Sequence, residues 1–242
     1  MKPALVLSAV PRELELLVNT LHDPYTDAYA MYGVTEGRIG ATNLACCAGG
    51  VGKSNAAAAA TALIERYRPG LVISTGCGGA YPGSGLTVGN LAVASDEIFG
   101  DEGVVSPDGW LDLKQMGLPM LQEGGRSWYN TIPLARHEAE KAVQLADSHG
   151  LQLVRGRFVT VSSCSGTKAR GQELARRYQA ICENMEGAAI ALVAMRYGIP
   201  CLEIRGISNL VEDRDMSRWN IGLAVESAQR FVIKVLEELN RQ

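Results

Sequence analysis

The stretch that decides the fold is Asn55–Gly79, which reads NAAAAATALIERYRPGLVISTGCGG. Its first half, Asn55–Tyr67, is rich in alanine and predicts a helix, which the Pro-Gly pair at 69 and 70 ends. Its second half opens with Leu71–Thr75, an apolar run typical of a buried strand, and then enters a glycine-rich loop. A helix that leads directly into a buried strand is a building unit of α/β sheets, so this stretch predicts that fold class.

Short apolar runs and helical patterns alternate along most of the chain in the same way. Apolar runs predict further strands at Ala4–Val10, in a pair within 30–48 that turns at Gly37 or Gly40, and at Leu91–Ala94, Arg157–Ser162 and Pro200–Ile207. Periodicity predicts the other helices at Glu13–Leu21, Leu134–His149, Lys168–Tyr178, Glu186–Tyr197 and Ile221–Leu239. No repeat or low-complexity linker interrupts this order. We therefore predict one α/β domain over 1–242, a three-layer αβα fold around a central mixed, mostly parallel sheet.

Composition and charge exclude several classes of protein. Hydrophobic residues make up 47% of the 242 residues and charged residues 20%, which is typical of a globular chain and not of a disordered one. The 23 basic residues against 26 acidic ones give a net charge of -3, which argues against a nucleic-acid partner. No apolar segment approaches the roughly 18 residues of a membrane span, so we expect no membrane partner.

The cysteines and histidines indicate the compartment and argue against a metal site. The six cysteines form no C-x-x-C pair, and most lie in apolar runs, so we expect reduced thiols and a cytoplasmic location. The three histidines are scattered through polar stretches. Because a metal site needs clustered ligands, we expect no metal.

A glycine-rich loop at 49–54, GGVGKS, suggests a phosphate-binding loop. The full motif G-x-x-x-x-G-K-[ST] requires glycine at position 47, where this chain has Cys47. Nucleotide hydrolysis with Lys53 on a phosphate therefore stays a minor alternative. The other interpretation is an ordinary strand-to-helix turn.

Polar residues follow the predicted strands where ligands of α/β sheets bind. Such positions are occupied by Glu13, the second glycine-rich loop at 76–79, residues 162–167 and Asn209. Glu186 opens a helix that carries no charge before Arg196. Its carboxylate either complements the helix dipole or accepts hydrogen bonds from sugar hydroxyls, and the pattern alone leaves both open.

Four motifs in this chain together resemble the purine nucleoside phosphorylase and nucleosidase family. They are Gly50-Val51-Gly52-Lys53, Ser74-Thr75-Gly76-Cys77-Gly78-Gly79, Met185-Glu186-Gly187-Ala188-Ala189 and Arg205-Gly206-Ile207-Ser208-Asn209. The resemblance covers nearly the whole chain. It implies the family fold, a small-molecule nucleoside as substrate, no metal or organic cofactor, and a homodimer or larger homo-oligomer.

The resemblance also implies a role for individual residues. Glu13 would orient and deprotonate the attacking water, Glu186 would clamp the ribose, and Asn209 would stabilise the departing base. The implied substrate-binding residues are Cys77, Gly78, Thr167, Met185, Ser208 and Arg214. The residue pattern alone leaves Glu13 open to a second interpretation, an ordinary solvated position in the first turn of a helix.

Within the family, the chain resembles most the futalosine hydrolases, which release hypoxanthine in menaquinone biosynthesis. The loop Gly78–Pro82 and the segment from Asn209 to Trp219 carry this narrower match. Adenine-releasing nucleosidases have an aspartic acid where this chain has Asn209, and an asparagine amide suits a 6-oxopurine better. Arg214 is then the expected partner of a carboxylated 5′ arm. Residues 100–135, with Trp110, Met116, Leu118, Pro119 and Trp128, are expected to form either an apolar lid or a loosely packed surface loop.

Other activities stay open beside hydrolysis of a 6-oxopurine nucleoside. Hexameric bacterial phosphorylases have an arginine two residues before the glycine-rich loop, where this chain has Ser74, which favours water as the nucleophile. Arg12 is still available for a phosphate, so phosphorolysis stays an alternative. Nucleosidases for methylthioadenosine or aminodeoxyfutalosine, and a nucleoside-binding member without catalysis, are the others.

Overall fold

A computed structural model describes residues 2–239 of the chain. The strands are β1 (Ala4–Ser8), β2 (His22–Tyr29), β3 (Tyr32–Ile39), β4 (Thr42–Ala48), β5 (Leu71–Ala80), β6 (Leu91–Phe99), β7 (Gly103–Ser106), β8 (Gly109–Asp112), β9 (Leu121–Glu123), β10 (Arg126–Trp128), β11 (Thr131–Pro133), β12 (Leu153–Thr160), β13 (Ala180–Asn184) and β14 (Cys201–Leu210). The α-helices are α1 (Glu15–Asn19), α2 (Lys53–Tyr67), α3 (Arg136–Ser148), α4 (Lys168–Tyr178), α5 (Gly187–Arg196) and α6 (Ile221–Glu238). Pro11–Glu13 and Met216–Arg218 form short 3₁₀ turns.

The main sheet is mixed, and five of its strands close into a ring. Strand β5 pairs with β13 and β14, β12 pairs with β13 and β6, and β6 pairs with β14. On the other side of β5 the sheet continues through β1, β4, β3 and β2. Pairing is parallel on both sides of β1 and along β5–β14 and β6–β12–β13. It is antiparallel in the β2–β3–β4 edge, between β5 and β13, and between β6 and both β14 and β11, so the two kinds of pairing are equally frequent among the described strands of this sheet. The ends of β1, β5, β13 and β14 therefore lie close together.

Helices cover both faces of this sheet. On one face, α6 packs against β14 and contacts α1 and α3; on the other, α2 packs against α5. Helix α2 forms because its alanine-rich sequence favours a helix, and Ala56, Ala60, Leu63 and Ile64 bury one face of it. Each helix layer shares a hydrophobic core with its face of the sheet. The predicted three-layer α/β domain with a mixed sheet is confirmed.

The stretch Asn55–Gly79 folds much as predicted, with one difference that matters for the site. Helix α2 begins two residues earlier than predicted and ends at Tyr67. Strand β5 does not stop at Thr75 but continues through the glycines to Ala80. These glycines stay in the strand because their backbone pairs with β14 on one side and with β13 at the end. The predicted glycine-rich loop is thus part of a sheet.

Several other elements differ from prediction. Strands β2 and β13 were not predicted, because every residue of β2 is exposed and β13 is short and ends in polar residues. The strand pair within 30–48 turns at Gly40 and not at Gly37. The predicted helix Glu13–Leu21 is divided into a 3₁₀ turn and α1. Residues 100–135, predicted as a loop, contain two small hairpins, β7–β8 and β9–β10, and the edge strand β11.

Among residues 2–239, none of the helices has both the length and the apolar character needed to cross a lipid bilayer.

Candidate active site

A cavity of about 320 Å³ lies where the ends of β1, β5, β13 and β14 meet. Most of the residues predicted from the sequence line it: Glu13, Cys77, Gly78, Met185, Glu186, Ser208 and Asn209. The structure therefore brings together residues that are almost two hundred positions apart in the chain.

Glu13 is a buried, firmly held carboxylate and not a solvated helix residue. Its side chain is 4% exposed. Its Oε2 accepts hydrogen bonds from the backbone amides of Ala9 (3.0 Å) and Val10 (3.2 Å), and its Oε1 accepts one from Cys77 N (2.9 Å). A carboxylate offers about four acceptor positions. Three backbone donors therefore fix Glu13 in place and leave it able to accept one more hydrogen bond from the cavity.

Gly76 allows Glu13 and Arg205 to approach β5 from the same side. A Cβ atom at this position would collide with Glu13 Oε1 and would lie 2.9 Å from Arg205 Nη1. Any side chain at position 76 would push the carboxylate and the guanidinium away from the strand. The glycine of the Ser74–Gly79 motif is thus required by this close approach.

Glu186 is held at the start of α5 by contacts from two directions. Its Oε1 accepts a hydrogen bond from Gly52 N (2.9 Å), and its Oε2 lies 3.8 Å from Arg205 Nη1. The helix begins here because Asn184 Oδ1 accepts hydrogen bonds from the amides of Glu186 (3.0 Å) and Gly187 (2.8 Å). Burial raises the pKa of Glu186, while Arg205 and the Gly52 amide oppose that rise.

The loop 49–54 binds the carboxylate of Glu186 and is not arranged to bind a phosphate. The amide of Gly52 already donates to Glu186. The ammonium group of Lys53 is paired with Asp101 (2.5 Å) and Glu102 (2.7 Å). A phosphate-binding lysine would have to be available for the phosphate oxygens. The loop is therefore a strand-to-helix turn, and the nucleotide-hydrolysis alternative has no support in this geometry.

Arg205 is a fully buried cation beside both carboxylates. Its Nε donates to Glu203 Oε1 (2.8 Å), its Nη2 to Ser74 Oγ (3.2 Å) and its Nη1 to the carbonyl of Cys77 (3.3 Å). Burial lowers the pKa of Arg205, but the surrounding carboxylates, Glu203 foremost, raise it above the ordinary value. Sequence reasoning quoted Arg205 in a motif but assigned it no role. The feature that could have indicated a role is the position of a charged residue within the largely buried strand Cys201–Leu210.

Asn209 and Ser208 form a second polar region of the cavity. Ser208 Oγ contacts the carbonyl of Gly78 (3.2 Å) and Asn209 Oδ1 (2.8 Å), and Asn209 Nδ2 donates to the carbonyl of Leu210 (3.0 Å). An amide side chain has two N–H donors and two acceptor positions. One donor and one acceptor of Asn209 are thus left for a ligand.

Glu183 was missed by the sequence reasoning, although its carboxylate lines the same cavity. Its Oε1 accepts from Ser165 N (2.8 Å), and its Oε2 accepts from Ser165 Oγ (2.6 Å) and from Tyr81 Oη (2.9 Å). In the sheet, Glu183 and Asn209 flank Gly79 from its two sides. The only sequence signal was an acidic residue in the short strand β13, which no pattern predicted as a strand.

Two predicted substrate-binding residues lie outside the cavity wall. The hydroxyl of Thr167 caps α4 by accepting a hydrogen bond from Arg170 N (3.2 Å), so its side chain is used by the helix. Arg214 is exposed and stacks on Trp219, with its guanidinium carbon 5.0 Å from the ring centre. Trp219 itself lines the cavity. Arg214 therefore lies one residue layer away from the site.

Residues 100–135 do not form a lid over the cavity of their own chain, because none of them is among the described residues that line it. Trp110 packs beside Arg177, whose guanidinium carbon lies 5.3 Å from the ring centre, and Trp128 packs against the main core. The two tryptophans are thus used in packing the hairpins onto the domain. Within one chain the expected apolar lid is absent.

Within residues 2–239, no group of three or more histidine, cysteine or acidic side chains is arranged to hold a metal ion. Cys77 lines the cavity, but burial and the nearby Glu13 raise the pKa of its thiol to about 11. The thiol is therefore neutral near pH 7 and a poor nucleophile.

The chain is similar to known proteins over most of its length. The phosphorylase superfamily model matches residues 3–239. The futalosine hydrolase of Thermus thermophilus is 33% identical over 189 residues, which are 78% of this chain and 79% of the relative. The 5′-methylthioadenosine/S-adenosylhomocysteine nucleosidase of Maridesulfovibrio salexigens is 28% identical over 238 residues, covering 97% of this chain and 98% of the relative.

Solved structures show the same fold. The S-adenosylhomocysteine nucleosidase of Streptococcus pyogenes, solved with 5-methylthiotubericidin, superposes with a TM-score of 0.85 at 22% identity. The superposition covers 98% of this chain and 97% of that one. On the evidence of its sequence over nearly its full length, this chain belongs to the phosphorylase superfamily.

Proposed function

We propose that this chain is an N-ribosyl hydrolase that cleaves the bond between a purine base and its ribose. The observation that carries the proposal is the convergence of Glu13, Glu186 and Arg205 in one cavity of about 320 Å³. Cleavage of this bond passes through a sugar with oxocarbenium character, which buried carboxylates stabilise. The nucleosidase relatives support the same class of reaction.

Glu186 is proposed to hold the ribose. Its Oε1 is fixed by Gly52, whereas its Oε2 lies 3.8 Å from Arg205, beyond hydrogen-bond distance. Oε2 can therefore accept hydrogen bonds from the ribose hydroxyls. As positive charge develops on the sugar, the same carboxylate stabilises it.

Glu13 is proposed to act as the general base toward water. The water oxygen attacks the anomeric carbon and its proton passes to Glu13. The electron pair of the breaking C–N bond goes to the departing purine, which takes up a proton from solvent water. Arg205 Nη1 approaches β5 beside Glu13, as the close contact of both groups at Gly76 indicates. It can therefore donate a hydrogen bond to the same water and orient it.

The charge of the cavity favours water over phosphate as the nucleophile. Three carboxylates line the wall, Glu13, Glu183 and Glu186, against the two guanidinium groups of Arg12 and Arg205. Arg205 already donates to a carboxylate and to two neutral acceptors. A phosphate dianion would thus be repelled by the excess negative charge of the wall.

The region around Asn209 and Glu183 favours a 6-oxopurine as the departing base. Asn209 can donate an N–H to an acceptor of the purine ring but cannot release a proton. Glu183 has one acceptor position left, which suits the N1–H donor of hypoxanthine. Adenine presents a lone pair at N1, which a carboxylate repels. These two residues support a substrate of the futalosine type, in which hypoxanthine is the leaving base.

A second candidate is an adenine-releasing nucleosidase for methylthioadenosine or S-adenosylhomocysteine. It is favoured by the relative that aligns over nearly the whole chain, whereas the futalosine hydrolase aligns over 78% of it. The two candidates share the ribose end of the site and differ in the base. Nothing in the roles proposed for Glu13, Glu186 and Arg205 distinguishes them.

The assembly and the 5′ end of the substrate stay predictions. A homodimer or larger homo-oligomer is expected, in which residues 100–135 of a second copy would supply the lid that is absent within one chain. Arg214 is proposed to bind a carboxylate on the 5′ arm across the face of Trp219. The substrate is a small nucleoside, and no nucleic-acid partner is proposed.

The deciding experiment is product analysis with the purified chain. Futalosine, inosine, methylthioadenosine and S-adenosylhomocysteine are each incubated with and without phosphate, and bases and sugars are identified by mass spectrometry. We expect free base and free sugar without phosphate. A sugar 1-phosphate, or turnover only with phosphate, would replace hydrolysis by phosphorolysis.

The same assay separates the two candidates. Hypoxanthine from futalosine with little adenine release supports the 6-oxopurine assignment, and the reverse supports the second candidate. The variant Glu13→Gln serves as the control, because it removes the proposed base and should abolish turnover. Binding without turnover of any of the four nucleosides would indicate a member without catalysis.

A further inference from the structure

Two buried carboxyl groups are not part of the cavity wall, although one of them contacts Arg205, which lines it. Glu97 on β6 and Glu203 on β14 are both 0% exposed. Both approach the first residue of α5, because a Cβ atom at Gly187 would collide with Glu97 Oε1 and with both oxygens of Glu203. Burial of two carboxyl groups side by side is costly unless one of them is neutral.

Glu97 is the neutral member of this pair. Asn184 Nδ2 donates to its Oε1 (2.5 Å), and Thr160 Oγ1 donates to its Oε2 (2.7 Å). Complete burial and the neighbouring Glu203 raise the pKa of Glu97 well above its usual range. A protonated Glu97 can donate a hydrogen bond to Glu203.

Glu203 is the charged member, and its partner is Arg205. Glu203 Oε1 accepts from Arg205 Nε at 2.8 Å, in surroundings where both side chains are almost fully buried. Among the described residues, Glu203 Oε2 is a buried oxygen to which no group is found to donate a hydrogen bond. The proton of Glu97 is thus the donor that this oxygen requires.

The position of Arg205 depends on which carboxylate holds it. Its guanidinium is 2.8 Å from Glu203 but 3.8 Å from Glu186. If Glu203 lost its charge, Glu186 would be the nearest remaining carboxylate, and Arg205 would move onto Glu186 Oε2. That oxygen is the one proposed above to bind the ribose hydroxyls.

We propose that Glu203 is a positioning residue for the hydrolysis. It holds Arg205 by Nε, away from Glu186, so that Nη1 faces the attacking water while Glu186 Oε2 stays available to the ribose. Glu97, which accepts hydrogen bonds from Asn184 and Thr160, would fix Glu203 in turn by donating its proton to Oε2. This inference rests on the proposed function for its catalytic consequence, but the arrangement of Arg205 can be tested separately.

The test compares Glu203→Gln, Glu203→Asp and Glu97→Gln with the unchanged chain. Removal of the charge in Glu203→Gln should lower kcat by about ten-fold or more and raise KM. Glu203→Asp keeps the charge and should retain more activity than Glu203→Gln. Glu97→Gln keeps a hydrogen-bond donor toward Glu203 and should lower kcat less than Glu203→Gln does. Glu36→Gln is the matched control, since Glu36 on β3 is a partly buried carboxylate that accepts a hydrogen bond from Tyr67 of α2 and does not line the cavity.

A crystal structure of Glu203→Gln supplies a readout that does not depend on activity. We expect the separation of Arg205 Nη1 and Glu186 Oε2 to shorten from 3.8 Å to hydrogen-bond distance, about 3 Å. An unmoved Arg205, or a kcat of Glu203→Gln equal to that of Glu203→Asp, would overturn the inference. If the unchanged chain cleaves no nucleoside, the proposed function fails, and the displacement of Arg205 still decides the positioning role.

Discussion

The backbone amide of Gly52 donates a hydrogen bond to Glu186 Oε1 across 2.9 Å, although the two residues are 134 positions apart in the chain. The contact joins the turn before α2 to the start of α5. It leaves the second oxygen of the carboxylate facing the cavity. A loop that reads as a phosphate-binding motif therefore serves to orient a carboxylate.

Replacement of Glu186 by glutamine should disable the ribose end of the site. The amide cannot stabilise positive charge on the sugar, so kcat/KM should fall by about 100-fold or more. Steady-state release of the base, with thermal unfolding as a check of folding, measures the effect. Glu173→Gln is the control, because Glu173 pairs with Arg170 and Arg177 on α4 and does not line the cavity. A loss below three-fold for Glu186→Gln would contradict the clamp.

The substitution Asn209→Asp should shift the preference between bases. An aspartic acid can protonate a purine, which adenine release requires more than hypoxanthine release does. We expect the ratio of adenine to hypoxanthine release to rise by about ten-fold. Competition between methylthioadenosine and futalosine in one reaction measures this ratio directly. An unchanged ratio would remove Asn209 from base selection.

Glu183→Gln tests the second residue that is proposed to contact the purine base. The amide can donate toward the N1 lone pair of adenine, so discrimination against adenine should weaken, again by about ten-fold. Because Glu183 also holds Ser165 and Tyr81, thermal unfolding must accompany the kinetics. Equal losses for both classes of nucleoside would indicate a structural role only.

Arg214→Ala separates the 5′ arm from the rest of the substrate. If Arg214 binds a carboxylate on that arm, KM for futalosine should rise by about ten-fold or more, whereas KM for inosine should stay unchanged. Arg218→Ala is the matched control, since Arg218 is an exposed arginine of the same segment that pairs with Glu212. Equal effects on both substrates would exclude the assignment.

Glu97 should make the stability of the protein depend on pH. Its pKa is raised in the folded protein, so the folded chain keeps a proton that the unfolded chain loses near the ordinary value of 4.5. Its contribution to the free energy of unfolding is therefore greatest below that value and falls as pH rises, by up to about 1.4 kcal/mol per pH unit.

Glu97→Gln removes this titration. Relative to the unchanged chain, its free energy of unfolding should rise by about 1 kcal/mol or more between pH 5 and pH 8, as measured by urea unfolding. Parallel stability curves for the two proteins would show that Glu97 titrates normally.

Sequence patterns predicted the fold well where one face of an element is buried. The alanine-rich helix α2 and the apolar part of β5 are examples, because periodicity records burial. Strand β2 was not predicted because all of its residues are exposed, so its sequence does not alternate between apolar and polar residues. The hairpins of 100–135 escaped for a similar reason, since their short strands are mostly exposed or half-buried.

The candidate site was predictable only in part. Motifs predicted Glu186 and Asn209, and the position of Glu13 after the first strand together with the family resemblance predicted Glu13. The structure brings these three residues into one cavity, while their roles stay predictions. The participation of Glu183 and the burial of Glu203 depend on strand register, which no local pattern specifies. Thr167 is the opposite case, because it was predicted to bind the substrate but its hydroxyl caps helix α4 instead.

The closed ring of β5, β14, β6, β12 and β13 has a consequence for the entropy of binding. Each of these strands is hydrogen-bonded on both sides, so none of them has an edge from which the backbone can open. The backbone amides of β5 and β14 should thus be among the last to exchange with deuterium. A nucleoside that enters the cavity meets donors and acceptors already in place, and little of its binding energy is needed to order the protein.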